Sequence, residues 1–200
     1  MDQMMLPLLD VQRLLRMFCE LIAQKGDLLI DATVGNGHDT LFLAELAKKL
    51  DGQVIGFDIQ KKAIESTKKR VEGFSNVTLI LDSHAAFDRY VKPKSVGLIV
   101  YNLGYLPRGE KSITTLASST LQSISLGLEL LRADGGIAIT CYSGHIEGVK
   151  EIEALKGFFH TLDPKKFCVT WTNWENRNLC PSVVFIQSIE KSVDKRTKNC

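Results

Sequence analysis

The 200-residue sequence contains no apolar run of about 18 residues or more, so we expect no transmembrane helix. It begins MDQMMLPLLD, with an acidic second residue and no basic segment before the apolar stretch, which argues against a secretory signal. A strong excess of basic charge is also missing. The formal net charge is +2, which does not indicate nucleic acid binding by charge alone. Length and composition predict one domain, residues 1–190, followed by a polar tail, residues 191–200.

Paired cysteines at short spacing are absent as well. The five cysteines are scattered, no two of them form a CxxC pair, and their number is odd. This pattern predicts neither a disulfide framework nor a zinc site. We therefore expect reduced thiols in a cytoplasmic protein without a bound metal, and the sequence leaves both a monomer and a homodimer open.

Short apolar runs alternate with longer stretches of helical periodicity. The predicted helices are 8–23, 39–50, 61–71, 115–131 and 147–159, and the predicted strands are 28–30, 53–57, 76–81, 96–101, 137–142, 167–174 and 182–189. This order predicts an α/β fold with a mostly parallel seven-stranded sheet and helices on both faces. No helix separates the last two strands, so we expect an antiparallel hairpin at one edge. Ligands of such sheets bind beyond the carboxyl ends of the strands.

A glycine turn, DATVGNGHDT at residues 31–40, follows the first strand. Its two glycines let the backbone approach a ligand, and the following helix presents free N–H groups. The dinucleotide fingerprint would require a third glycine where Thr40 stands. Asp31 would repel a pyrophosphate by about 4 kcal/mol at about 4 Å and an effective dielectric of about 20. A ligand with sulfonium and ammonium groups would be attracted instead, which favours S-adenosyl-L-methionine.

Polar residues also follow the next two strands. Asp58 lies at the distance from the glycine turn that suits a carboxylate binding ribose hydroxyls. Asp82, Ser83 and His84 end the third strand, where an adenine edge would lie. An aspartate at a strand end also commonly caps a helix, and His84 could be a turn residue, so both interpretations stay open. Three successive strands with such ends favour a nucleoside site.

The fourth strand ends in Asn102-Leu103-Gly104-Tyr105. Methyltransferases that act on amino nitrogens are similar here, with Asn/Asp-Pro-Pro-Tyr/Phe. An amide oxygen and a main-chain carbonyl can accept both hydrogens of an amine, which leaves its lone pair aimed at the sulfonium methyl. Tyr105 can stack on a base, worth roughly 1–3 kcal/mol. Both prolines are absent, so we expect a less rigid loop. A turn that needs Asn and Gly for their backbone angles is the alternative.

Five stretches carry a resemblance to a known family: DATVGNGHDTLFLAEL, FDIQ, LDSH, NLGYLPRGEKSITT and YSGHIEG. Together they resemble the bacterial tRNA wobble-uridine methyltransferases of the MnmM/YtqB type, long labelled rRNA methylases, over about residues 5–191. The resemblance implies a class I S-adenosylmethionine-dependent, Rossmann-like fold. It also implies methylation of the exocyclic amine of 5-aminomethyl-2-thiouridine in the tRNA anticodon loop. The chain departs from the family pattern at Arg108, where a glycine is usual, and at Pro181, which stands alone instead of in a pair.

The predicted site follows from these motifs and from the resemblance. The expected catalytic residues are Asn102 and Tyr105. The expected cofactor contacts are Asp31, Gly35, Asn36, Gly37, Asp39, Thr40, Asp58, Gln60, Asp82, Ser83, His84 and Asn102. The expected substrate contacts are Tyr105, Arg108, Lys111, Tyr142 and His145. No general base is assigned, although His84 and His145 are candidates. Methylation of an rRNA base or a small-molecule amine, and nucleotide binding without catalysis, remain alternative functions.

Overall fold

The computed structural model describes residues 10–104, 114–177 and 180–190. Within these residues the strands are β1 (Leu28–Asp31), β2 (Gln53–Asp58), β3 (Val77–Leu81), β4 (Val96–Asn102), β5 (Leu131–Cys141), β6 (Phe167–Thr172) and β7 (Ser182–Ser188). The α-helices are α1 (Val11–Ile22), α2 (His38–Lys49), α3 (Lys61–Arg70), α4 (Ala117–Leu130) and α5 (Ile146–Phe159), and a 3-10 helix spans His84–Arg89. No helix in the described ranges is long and apolar enough to cross a membrane.

The seven strands form one sheet in the order β3-β2-β1-β4-β5-β7-β6. The first five strands pair in parallel, whereas β7 runs antiparallel to both β5 and β6. The predicted mostly parallel sheet with an antiparallel hairpin is confirmed, with β7 inserted so that β6 forms the edge. The strand order reverses between β1 and β4, and this switch point places a crevice at the carboxyl ends of the strands.

Helices cover the two faces of the sheet because neighbouring strand residues point to opposite sides. Leu29 and Leu98 pack in one apolar cluster with side chains of α1 and α2. Ile30 and Ile99, one position further along their strands, pack in a second cluster with α4, α5 and the 3-10 helix. Both clusters are buried, so the central strands read as continuous apolar runs rather than alternating ones.

Two local features bear on the sequence prediction. Asp10 caps α1 by accepting a hydrogen bond from the backbone N–H of Gln12 at 2.9 Å, and residues 8 and 9 of the predicted helix lie outside the described residues. Strand β5 begins at residue 131, directly after α4, and its pairing with β4 shifts register between Val96 and Leu98. Asp134 adopts a positive φ of 60° in this irregular segment, which explains why its sequence resembles a turn.

A buried ion pair ties elements together at the end of the sheet where β1 begins. The guanidinium of Arg132 donates to both carboxylate oxygens of Asp27, each at 2.7 Å, and to the carbonyl oxygen of Ile22 at 2.9 Å. The side chains of Arg132 and Asp27 are 18% and 8% exposed. The pair therefore joins the end of α1 and the start of β1 to β5.

Candidate active site

A cavity of about 490 Å³ opens at the carboxyl ends of β1 to β5. Eleven of the predicted site residues line it, and they come from all five strand ends: Gly35, Asn36, Asp39, Asp58, Gln60, Asp82, Ser83, His84, Asn102, Tyr142 and His145. Tyr105, Arg108 and Lys111 lie outside the described residues. The structure thus brings together residues that are separated by up to 110 positions in the chain.

The glycine turn between β1 and α2 is held by side chains of α3. Thr67 Oγ1 donates to the carbonyl oxygen of Gly35 at 3.2 Å, and Arg70 Nε donates to that of Asn36 at 2.8 Å. Gly37 has a φ of 77°, and a Cβ there would lie 2.5 Å from Thr67 Oγ1. Position 37 therefore requires glycine for both its backbone angle and its contact with α3. Its role in the structure is to shape the turn, because it does not line the cavity.

Asp31 and Thr40, which we predicted to contact the cofactor, also lie behind the cavity wall. Asp31 is 1% exposed, and it accepts hydrogen bonds from Thr40 Oγ1 at 2.5 Å and from the backbone N–H of Thr33 at 3.1 Å. Burial, reinforced by the charge of Asp39, raises the pKa of Asp31 to about 7. The expectation that Asp31 supplies the charge that selects the ligand is therefore corrected: among the described residues, Asp39, Asp58 and Asp82 are the carboxylates that line the cavity.

Asp58 stands at the end of β2 with both carboxylate oxygens engaged. Oδ2 accepts from the backbone N–H of Gly35 and Oδ1 from that of Gln60, each at 2.8 Å. Burial raises the pKa of Asp58, and these two hydrogen bonds oppose the shift. Because a carboxylate oxygen has two lone pairs, Asp58 can still accept hydrogen bonds from ligand hydroxyls while it fixes the glycine turn.

Asp82 and Ser83, which follow β3, make different hydrogen bonds. Asp82 accepts hydrogen bonds from the Tyr90 hydroxyl and the backbone N–H of Ser83, each at 2.7 Å, and the Tyr90 hydrogen bond lowers the pKa of Asp82. Ser83 caps the 3-10 helix by accepting from the N–H of Ala85 at 3.1 Å. The 3-10 helix was not predicted, and the capping interpretation applies to Ser83 rather than to Asp82.

His84 lines the same cavity, but one of its ring nitrogens is buried. Its Nδ1 is inaccessible to solvent and has no hydrogen-bond partner among the described residues. Burial lowers the pKa of His84 to about 4, so the ring is neutral at physiological pH. A neutral ring suits a hydrogen bond to a heterocycle. A lowered pKa makes His84 a weak base, which favours a hydrogen-bonding role for His84 over that of general base.

Asn102, at the end of β4, lies between two other polar side chains of the wall. Its Nδ2 donates to Oδ2 of Asp39 at 3.2 Å, and its backbone N–H donates to Thr33 Oγ1 at 2.7 Å. Burial raises the pKa of Asp39, and the hydrogen bond from Asn102 opposes that shift. Burial also raises the pKa of Tyr142, while a hydrogen bond from Asn102 lowers it. The amide nitrogen of Asn102 therefore faces protein oxygens, which leaves Oδ1 to accept from a ligand.

The two prolines that are typical of this motif are replaced by hydrogen-bonding residues. The backbone N–H of Leu103 donates to the carbonyl oxygen of Thr140 at 3.0 Å, and that of Gly104 donates to Thr115 Oγ1 at 2.8 Å. Proline could make neither bond, and the φ of 121° at Gly104 is inaccessible to it. Both N–H groups are therefore hydrogen-bonded in the fold. Residues 105–113 lie outside the described residues, and the expectation of a less rigid loop stays a prediction.

His145 caps α5 and lines the cavity beyond the end of β5. Its Nδ1 accepts a hydrogen bond from the backbone N–H of Gly148 at 3.0 Å. In the neutral ring the proton then belongs on Nε2, so His145 in this arrangement offers no basic nitrogen to a substrate. A Cβ on Gly104 would lie 3.7 Å from His145 Nε2 and 4.0 Å from the ring of Tyr142. These three residues form one wall of the cavity.

Several lining residues were not predicted, among them Thr33, His38, Ile59, Thr114, Thr115 and Ser119. Thr114 and Thr115 belong to the quoted stretch NLGYLPRGEKSITT, so the motif itself contained the signal. Thr33, His38 and Ile59 likewise belong to the quoted stretches DATVGNGHDTLFLAEL and FDIQ, whereas Ser119 lies in α4 outside all five stretches.

Comparisons with known proteins agree with this geometry. The model of the family described as "Putative rRNA methylase" matches residues 54–188. The chain is 35% identical over 178 residues to the chloroplastic tRNA (mnm(5)s(2)U34)-methyltransferase of Arabidopsis thaliana, and the match covers 84% of this chain. The chain spans only 65% of that relative's length.

Solved structures are similar over nearly their whole length. The crystal structure of an rRNA methylase from Clostridium thermocellum has a TM-score of 0.83 and 40% identity, with 87% of this chain and 95% of that chain covered. A methyltransferase from Streptococcus mutans in complex with SAH has a TM-score of 0.81 and 34% identity, with 90% and 98% covered. The predicted resemblance is confirmed, and the chain belongs to the rRNA methylase family of S-adenosylmethionine-dependent methyltransferases.

Proposed function

We propose that this methyltransferase transfers a methyl group from S-adenosyl-L-methionine to the exocyclic amine of 5-aminomethyl-2-thiouridine at the tRNA wobble position. The observation that carries the proposal is the side-chain amide of Asn102, which lines the cavity at the end of β4 with its nitrogen bonded to Asp39. An amide oxygen in this place can accept a hydrogen from an amine and orient its lone pair.

The cavity wall fits S-adenosyl-L-methionine in charge and in hydrogen-bonding groups. Asp39 and Asp58 face the cavity and complement a ligand with ammonium and sulfonium groups. The partly satisfied carboxylate of Asp58 suits ribose hydroxyls, and the ring of His84 lines the cavity at the end of β3, where adenine would lie. The N-terminus of α2, which has no side-chain cap, suits a carboxylate. When bound, S-adenosyl-L-methionine supplies an electrophilic methyl group.

The acceptor must be held as a neutral amine. For an amine with a lysine-like pKa of about 10.4, the neutral form costs roughly 4.6 kcal/mol at pH 7, and an aminomethyl group on a conjugated ring costs less. Asn102 Oδ1 can accept a hydrogen bond from the amine but is not a base. It therefore orients the amine and does not remove its proton. Most of the rate enhancement then comes from positioning and from exclusion of water.

A tRNA anticodon loop fits the acceptor side of the cavity. Sequence-specific RNA recognition targets unpaired bases that are turned outward and stacked on aromatic side chains. Tyr142 lines this side, next to Gly104 and His145. The relative from Arabidopsis is named for mnm(5)s(2)U34, the methylated form of the proposed nucleoside, which supports this substrate. A net charge of +2 fits recognition by shape and stacking better than broad contact with phosphates. We also propose a cytoplasmic location for the enzyme.

Mass analysis of nucleosides tests the proposal. Bulk tRNA from cells without this activity is incubated with enzyme and S-adenosyl-L-methionine, then digested to nucleosides. We expect the 5-aminomethyl-2-thiouridine peak to be converted to its methylated form. Ribosomal RNA, which the family description favours, is treated in parallel. Methylation of ribosomal RNA with an unchanged tRNA peak would refute the proposed substrate.

A further inference from the structure

Helix α5 carries a buried carboxylate that the proposed reaction does not use. Glu151 is 2% exposed and does not line the cavity. Thr120 Oγ1 donates to its Oε1 at 2.7 Å, and Thr115 Oγ1 donates to its Oε2 at 2.8 Å. A buried carboxylate is costly unless hydrogen bonds compensate for lost water. Each oxygen of Glu151 thus has a hydroxyl donor, and both donors come from around the start of α4.

The hydroxyl of Thr115 connects Glu151 to Gly104, which follows the end of β4. Thr115 Oγ1 also accepts the backbone N–H of Gly104 at 2.8 Å, and the backbone N–H of Thr115 donates to the carbonyl oxygen of Gly104 at 3.0 Å. Gly104 and Thr115 are therefore joined by two hydrogen bonds. Glu151 orients the Thr115 hydroxyl so that its lone pair faces the N–H of Gly104, because the hydroxyl hydrogen is committed to the carboxylate.

The elements joined in this way form the acceptor wall of the cavity. Gly104 stands two residues after Asn102, Thr115 lines the cavity, and His145 precedes the same helix that carries Glu151. Burial raises the pKa of Glu151, while the two hydroxyls and the nearby His145 oppose the shift. Glu151 thus links α5, through Thr115, to Gly104 at the end of β4.

We propose that Glu151 is a positioning residue for the methyl acceptor, which acts through Thr115 to hold Gly104 and α5 at the distance that the tRNA nucleoside requires. This inference rests on the proposed function, because it concerns the acceptor side of the same site. It assigns no contact with cofactor or substrate to Glu151. A residue that only stabilised the fold would change the active fraction of the enzyme but not its KM for tRNA.

Three variants test this assignment. Glu151→Ala removes both hydroxyl acceptors, and we expect a KM for tRNA at least fivefold higher, with the Kd of SAH within twofold of the wild-type value. Glu151→Gln keeps an oxygen for Thr120, and its amide nitrogen can donate to Thr115 Oγ1, so we expect KM within about threefold of wild type. Glu153→Ala is the matched control, since Glu153 is an exposed residue of the same helix. Its KM should equal the wild-type value.

A second pair of variants covers the case in which Glu151→Ala does not fold. Thr115→Val keeps the side-chain shape but removes the hydroxyl that joins Gly104 to Glu151, whereas Thr115→Ser keeps it. We expect Thr115→Val to raise the KM for tRNA as Glu151→Ala does. Thr115→Ser should have a KM close to the wild-type value. Unchanged KM in Thr115→Val would overturn the inference, as would equal effects of the two substitutions.

Amide hydrogen exchange of Gly104 in the free enzyme separates this inference from the proposed function. We expect exchange at Gly104 to accelerate at least tenfold in Thr115→Val and in folded Glu151→Ala, and to remain unchanged in Glu153→Ala. If the wild-type enzyme leaves tRNA unmethylated, the proposed function fails, and the exchange rates still decide whether Glu151 holds Gly104. Unchanged exchange in Thr115→Val would refute that role.

Discussion

The side-chain amide nitrogen of Asn102 donates to Oδ2 of Asp39 at 3.2 Å, which joins the end of β4 to the first turn of α2 across the switch point of the sheet. A carboxylate can only accept, so the nitrogen of the amide must face Asp39 and its oxygen must face away. Asp39 is 7% exposed, and burial strengthens such a preference because water cannot substitute for either partner. The pair fixes the orientation on which the proposed reaction depends.

Asp39→Asn should therefore lower turnover even with saturating S-adenosyl-L-methionine. An asparagine at position 39 can donate as well as accept, so the Asn102 amide is no longer held in one orientation. A misplaced reacting group costs on the order of 100-fold in rate, and we expect a loss of about 10- to 100-fold in kcat. Single-turnover methylation of tRNA at saturating cofactor measures it. An unchanged kcat would show that Asp39 does not orient Asn102.

Asn102→Ala tests the residue itself. Removing the amide oxygen should cut turnover by orders of magnitude while the Kd of SAH, measured by calorimetry, stays within a few-fold of wild type. The reason is that Asn102 is expected to orient the amine of the tRNA nucleoside, whereas Asp58 and the glycine turn are expected to hold the adenosine part of the cofactor. Loss of SAH binding with this variant would instead identify Asn102 as a cofactor contact. An unchanged melting temperature serves as the folding control.

The order of elements along the chain, the mostly parallel sheet and most of the cavity wall could be predicted because they follow from local sequence patterns. Asn102, Asp58 and His84 each stand at the end of an apolar strand, and parallel strands bring such ends together. The role of Asp31 could not be predicted in this way. Asp31 also stands at a strand end, but the hydroxyl of Thr40, nine residues later, donates a hydrogen bond to its carboxylate. Hydrophobic periodicity does not predict such a contact between side chains.

The replacement of two prolines shows the same limit. Without the proline ring, which fixes φ, residues 103 and 104 are expected to have a more flexible backbone. The structure uses the freed N–H groups, with Thr140 and Thr115 as partners. Those partners come from β5 and from the start of α4, so their distance from Leu103 and Gly104 depends on the tertiary fold rather than on neighbouring residues.

The buried carboxyl group of Asp31 should make stability depend on pH. Its pKa is raised from 3.8 to about 7, so the native state retains a proton that the unfolded chain loses. Its contribution is fully present below pH 3.8 and is lost as pH rises through about 7. Between about pH 5 and pH 8 the wild type should lose about 2–3 kcal/mol more than Asp31→Asn. Urea unfolding of both proteins measures this difference, and parallel curves would contradict it.

The buried ion pair at the opposite end of the sheet should contribute to stability without affecting the site. Arg132→Ala leaves Asp27 buried without its bidentate partner, and breaking such a pair costs about 3–5 kcal/mol. Lys25→Ala removes an exposed pair with Asp51 and should cost less than about 1 kcal/mol. Denaturant unfolding compares the two variants. Equal losses would show that the buried geometry does not strengthen the pair.

Asp58→Asn should weaken cofactor binding without changing tRNA recognition. Both oxygens of Asp58 accept backbone N–H groups, from Gly35 and Gln60, and an asparagine would turn its own N–H₂ group toward one of these donors. The glycine turn must then move, so we expect the Kd of SAH to rise at least tenfold. KM for tRNA, measured at saturating S-adenosyl-L-methionine, should stay within about twofold, because the acceptor wall lies at β4 and β5. Wild-type affinity for SAH would show that Asp58 does not position the turn for the cofactor, and a matching rise in the KM for tRNA would show that the two sides of the cavity are not independent.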